Sequence, residues 1–88
     1  MSISGCPRQI DGLEINEAED GFIIYDPDRD SVHFLNHTAV FMLELCNGKH
    51  SAAEIITIFS EAYGLKAPPE KELLDILVKF IEEGLVRS

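Results

Sequence analysis

The periodicity of the apolar residues changes at Asn36, and that change constrains the fold more than any other feature of the chain. Before it, apolar residues come in short alternating or β-branched runs, as strands require. Leu13-Glu14-Ile15-Asn16 alternates apolar with polar, the mark of a half-buried strand, and Phe22-Ile23-Ile24-Tyr25 is apolar on both faces. Ser31-Val32-His33-Phe34-Leu35 points Val32 and Phe34 one way and His33 the other, and the apolar pair is expected to face the core. Glu19-Asp20-Gly21 and Asp26-Pro27-Asp28-Arg29-Asp30 supply turns, with Pro27 at the second position of a tight one. Connections this short predict an antiparallel three-stranded meander.

After Asn36 the spacing is helical. Asn36 or Thr38 caps a first helix, in which Ala39 to Cys46 is apolar on nearly every side except at Glu44, the pattern of a helix in the middle of a fold. Asn47-Gly48 ends it. Ser51-Ala52-Ala53-Glu54 is a capping box for a second helix, with Ile55, Ile56, Ile58, Phe59 and Ala62 as its buried face and Gly64 as its stop. Pro68-Pro69 opens a third helix that runs to Glu83, before Gly84 and an apolar Leu85-Val86. The predicted fold class is α+β, a winged helix-turn-helix-like arrangement with a three-stranded antiparallel sheet followed by three helices. The domain is expected over residues 13–88, after a flexible N-terminal tail over 1–12.

A chain of 88 residues holds one domain with one modest core, and a hydrophobic fraction of 45% excludes disorder. No apolar run approaches the roughly 20 residues that span a membrane, and Met1 to Arg8 lacks the apolar stretch of a signal peptide, so the cytoplasm is the expected compartment. The formal charge is −9. Such a balance opposes nucleic acid and anionic membranes unless basic groups cluster, and in the sequence the seven lysines and arginines are scattered. A recognition helix would be the third, where Lys71 and Lys79 stand against Glu70, Glu72, Asp75, Glu82 and Glu83, the wrong sign for phosphate contacts. The acidic residues between 11 and 30 read either as a solvated face or as a field that attracts a basic partner.

Catalytic patterns are missing. Cys6, His33, His37, Cys46 and His50 are metal-ligand types without zinc-site spacing, and His33 and His37 straddle a strand-to-helix boundary. No nucleophile sits in a glycine-flanked elbow, and the six glycines never form a phosphate loop. Asp30-Ser31-Val32 approaches the attachment motif of an acyl carrier but continues as a strand rather than opening a helix. A disulfide between Cys6 and Cys46 stays open on the sequence, although the core looks large enough not to need one. The chain is therefore expected to be no enzyme, with no cofactor and no metal.

Two features point to binding instead. On a helical wheel Leu73, Ile76, Leu77 and Phe80 cluster, and Leu74, Val78 and Ile81 widen the apolar arc to roughly 200°, more than a surface helix needs. The side with Leu74 and Val78 is read as bordering a groove. Ser31 to Leu35 carries neither a charged group nor proline, the devices that usually blunt an edge strand. It is either a template for an added strand or an edge covered by the first strand or the C-terminal tail.

Tyr25-Asp26-Pro27, Phe34-Leu35-Asn36-His37-Thr38-Ala39, Leu45-Cys46-Asn47-Gly48-Lys49 with the capped Ala-Glu-Ile-Ile helix, and the closing Glu-Glu-Gly-Leu-Val resemble the PqqD family over residues 13 to 86. The resemblance implies a RiPP recognition element, a module that does no chemistry. It implies capture of the leader segment of a ribosomally made precursor peptide as a strand added beside the third strand, against the third helix. It also implies presentation to a modifying enzyme, often a radical SAM maturase. Carried onto this chain, the strand wall is Ser31, Val32, His33, Phe34 and Leu35, and the helix wall is Lys71, Leu74, Asp75 and Val78. The alternative is an interaction module of another pathway, including a homodimer through residues 31–35.

Overall fold

Local side-chain bonds set the register of the main sheet. The computed structural model describes residues 3 and 5–87. Strand β1 (Arg8–Gln9) precedes β2 (Glu14–Ala18), β3 (Gly21–Asp26) and β4 (Ser31–Leu35), and helices α1 (His37–Leu45), α2 (Ala52–Ala62) and α3 (Glu70–Glu82) lead to a short β5 (Val86–Arg87). The meander is as expected, an antiparallel sheet in the order β2-β3-β4. Ile24 stands opposite Ile15 and His33, and Ile23 opposite Asn16 and Phe34. At the β3–β4 turn Asp26 Oδ1 accepts the Asp28 N–H at 3.2 Å, and Asp30 adopts a φ of 49°, which aspartate tolerates. The Tyr25 hydroxyl donates to Asp30 Oδ1 at 3.1 Å, a bond that raises the Tyr25 pKa. With the turn pinned, a slip of one residue, which would exchange the two faces of the sheet, is opposed.

The helices begin where their caps dictate. Asn36, rather than Thr38, caps α1: its side chain accepts the Ala39 N–H at 2.8 Å. At α2 the Ser51 hydroxyl accepts the Glu54 N–H at 3.2 Å, and Glu54 Oε1 accepts the Ser51 N–H at 2.8 Å. The Ser51 N–H, which donates to the carboxylate, and then the Ser51 side chain hold the Glu54 carboxyl below the usual carboxylate range. Gly48 and Gly84, with φ of 81° and 78°, turn the chain after α1 and α3 in a conformation that other residues rarely adopt.

The core lies between the inner face of the sheet and the three helices. Ile24, Met42, Leu43, Ile55, Leu77 and Leu85 are fully buried, so α1 does occupy the middle of the fold. Burial of each such side chain contributes about 1.5–3 kcal/mol.

Two short strands depart from the sequence reading. β1 pairs antiparallel with β5, Gln9 N donates to Cys46 O at 2.8 Å, and Ile10 N donates to Leu85 O at 3.0 Å. Pro7 is buried and its carbonyl accepts the Gly48 N–H at 3.0 Å. Residues 7–10 of the segment expected to be a tail are thus tied to the domain, because their backbone groups find partners at the ends of α1 and α3. Met1, Ser2 and Ser4 of that segment, like Ser88, lie outside the described residues. A two-residue strand is too short to show any periodicity. β2 also differs: it is shifted to Glu14–Ala18 and mostly exposed, with Ile15 at the sheet's edge 39% accessible.

Candidate functional site

β4 is an edge strand, hydrogen-bonded to β3 on one side only among the described residues. On its other side a groove of about 480 Å³ separates it from α3. Val32, His33, Phe34 and Leu35 form one wall, Asn36, Thr38 and Ala39 close one end, and Ile76, Lys79, Phe80 and Glu83 form the helix wall. Of the strand positions expected from the sequence, Val32 to Leu35 line the groove and Ser31 does not, and the edge is not covered by β2 or by β5, which lie elsewhere.

The orientation of β4 is the reverse of the expectation. Val32 and Phe34 are 63% and 58% exposed on the outer face, while His33 turns inward. The cause is β3. It is apolar on both faces, with Ile24 fully buried, and the pairing Ile24–His33 carries His33 to the inner side and Phe34 opposite the outward Ile23. Tyr25 opposite Val32 completes an apolar outer surface next to the edge. His33 Nδ1 lies 3.1 Å from Glu83 Oε2, joining strand to helix across the groove, whereas its Nε2 is buried without a hydrogen-bond partner. Among the described residues this Nε2 is the buried side-chain polar atom without a partner.

The helix wall also moves. Ile76, Lys79 and Glu83 recur at about one turn and face β4, while Leu73, Leu77 and Phe80 are buried. At about 100° per residue, Val78 lies about 160° around the helix from Ile76. Leu74 lines a different cavity of about 310 Å³, with Ala52 and Ile56 of α2 and Pro68. Lys71 and Asp75 are exposed, Val78 is half-buried, and none of the three lines the groove. The apolar arc of α3 has two ends, and arc width does not say which end meets the sheet. No signal in the sequence separates them.

Among the described residues no group of three or more His, Cys, Asp or Glu side chains is arranged to hold a metal ion. Cys6 is exposed, and Cys46 is buried, both as free thiols, with burial pushing the Cys46 pKa up to about 12. A thiol held so far above neutrality is a poor nucleophile. Among the described residues no helix is long and apolar enough to cross a membrane. What the groove offers is a strand edge, an apolar floor and a few polar side chains.

Comparison with solved structures gives the same fold. Lasso peptide synthetase B1, solved with a leader peptide, aligns with a TM-score of 0.73 at 15% identity, over 96% of this chain and 100% of that one. The solution structure of the PqqD truncation of Methylobacterium extorquens PqqCD aligns with a TM-score of 0.70 at 21% identity, over 99% of this chain and 96% of that one. The latter is described as a functional, stand-alone recognition element for ribosomally synthesized and post-translationally modified peptides. Comparison with curated proteins gives no match. The sequence profile of the family described as Coenzyme PQQ synthesis protein D (PqqD) matches residues 21–86, which contain the hairpin, the groove and all three helices. This chain belongs to the PqqD family.

Proposed function

We propose that the chain is a non-catalytic binding module that captures the leader segment of a ribosomally made precursor peptide and presents it to a modifying enzyme, such as a radical SAM maturase. The observation that carries this reading is the edge of β4, unpaired among the described residues and without carboxylate, lysine, arginine or proline, facing α3 across the groove. A peptide in extended form gains backbone hydrogen bonds from such an edge, and its alternate side chains enter the pockets beside it. The fold shared with a synthetase solved with a leader peptide, and with a stand-alone recognition element, supports the same reading. On this reading the backbone edge of Ser31 to Leu35 receives the peptide, Val32 to Leu35 form the strand wall, and Ile76, Lys79, Phe80 and Glu83 take the place of the helix positions inferred from the sequence. The cytoplasm, where precursor peptides are made, is the compartment in which such a module acts.

A short precursor gene and a maturase gene are expected near this chain's gene, and isothermal titration with that precursor's N-terminal segment tests the proposal. Saturable one-to-one binding is expected. Absence of binding to that segment and to the neighbouring maturase, singly and together, contradicts it. The same uncharged edge, with Val32 and Phe34 exposed beside it, also suits pairing with a second copy. Light scattering separates the two readings, since a monomer at high micromolar concentration removes the second.

A further inference from the structure

All three arginines of this acidic chain, distant in sequence, line one cavity of about 370 Å³. Arg8 and Arg87 come from β1 and β5, where they stand directly opposite each other, and Arg29 comes from the β3–β4 turn. Like charges facing across a strand pair are destabilising unless something compensates. Asp11, Asp26 and Asp28 line the cavity with them, so the formal charges balance, but the pairs they make are loose and Arg87 has no ion pair among the described residues. Arg8 Nη2 reaches Asp11 Oδ1 at 3.1 Å, but both side chains are largely exposed, and such pairs contribute little. Asp26 is buried and already accepts the Asp28 N–H, and Arg29 Nε stands 3.9 Å from its other oxygen, beyond hydrogen-bond distance.

Arg29 is nonetheless held in place. Its guanidinium lies against the α-carbon of Gly84, where a Cβ would collide with Nη1. Gly84 is thus required both for its backbone turn and for the space it leaves. It also follows directly on Glu83 of the groove wall, so Arg29 connects the cavity to the Ser31 end of β4.

We infer that the arginine cavity binds a carboxylate of an acidic peptide segment. Guanidinium groups offer paired N–H donors that match the two oxygens of a carboxylate, and here three arginines line one cavity with one short ion pair among them. The cavity's position at the Ser31 end of β4 lets the peptide proposed to lie along that strand place an acidic residue in it. In that respect the inference rests on the proposed function, but carboxylate binding itself is tested without the precursor.

The probe is acetyl-Glu-Glu-amide, titrated into the full chain while the arginine Nε–H resonances are followed by NMR, with acetyl-Gln-Gln-amide, sodium chloride and inorganic phosphate as separate arms. The acidic dipeptide is expected to shift Arg29 and Arg87 saturably in the millimolar range and the neutral one to leave them unmoved. Arg87→Gln is expected to weaken binding about fivefold or more. Arg29→Gln serves as a second variant, and the backbone spectrum reports whether each folds. A linear response no larger than that to chloride, tighter saturation by phosphate than by the dipeptide, or full affinity in a folded Arg87→Gln variant overturns the inference. Because the leader titration is a separate experiment, failure here leaves capture along β4 standing, and failure there leaves the carboxylate site standing.

Discussion

On the β2 side of the sheet, Glu14 and Glu17 sit within the strand, and Glu19 and Asp20 form its turn, all exposed to water. On the β4 side, five residues carry no carboxylate, no lysine or arginine and no proline, and a helix stands off from them across a groove. Both strands pair with the same β3, so backbone geometry alone does not distinguish them. Charge on an edge discourages strand addition, whereas an uncharged edge invites it. The difference teaches that the side chains of one edge oppose an added strand, while those of the other do not. The helix beside the available edge then limits what can enter.

Both edges depend on the core beneath β3. Ile24→Ala removes a fully buried side chain and is expected to lower stability by about 2–5 kcal/mol, as read by urea denaturation followed by circular dichroism. That change strikes both edges alike and gives the scale against which selective changes are judged.

A selective change comes next in size. Ile76→Glu puts a charged group into the groove beside β4 and is expected to weaken leader binding by at least about tenfold in isothermal titration. Val78→Glu, on the far side of α3, is expected to leave affinity within about twofold, and circular dichroism must show both variants folded. Equal losses from the two variants would mean that the helix wall has been assigned to the wrong face.

The position of Val78 illustrates what the sequence carries and what it does not. The meander, the α1 core helix and the Ser51 capping box were legible because each rests on local chemistry: period, turn residues and caps. The helix wall was not, since two ends of one apolar arc look alike until packing selects between them. Val32 and Phe34 misled for a related reason. Apolar residues alternating with Ser31, His33 and Leu35 suggest an inward pair, but β3 is apolar on both faces, and its pairing places Ile24 and His33 inside together. β1 and β5 left no readable pattern because each is two residues long.

The charge contrast can be reversed. Glu14→Thr with Glu17→Thr removes the carboxylates from the β2 strand and is expected to promote self-association there, seen as a rise in mass by light scattering at high concentration. Placing Lys at Val32 is expected to suppress pairing at β4 while changing stability by less than about 1 kcal/mol, since that side chain is largely exposed.

The smallest expected effect lies away from both edges. Ser51→Ala removes the cap of α2 and is expected to cost about 1 kcal/mol of stability without altering leader affinity. Because Glu54 has a folded pKa below its unfolded value, the stabilisation is present above the unfolded glutamate range and is lost as pH falls through the folded value. Acid denaturation of the wild type and of Glu54→Gln is expected to show this part of the pH dependence only in the wild type.

Hydrogen exchange resolved by residue tests the difference between the two edges most directly. Amides of Ser31 to Leu35 and of Glu14 to Ala18 are followed with and without the precursor's N-terminal segment at saturating concentration. The outward-facing amides of β4 are predicted to gain protection on binding while those of β2 keep their exchange rates. Protection gained at β2, or saturable binding with no added protection at β4, would contradict strand addition at this edge.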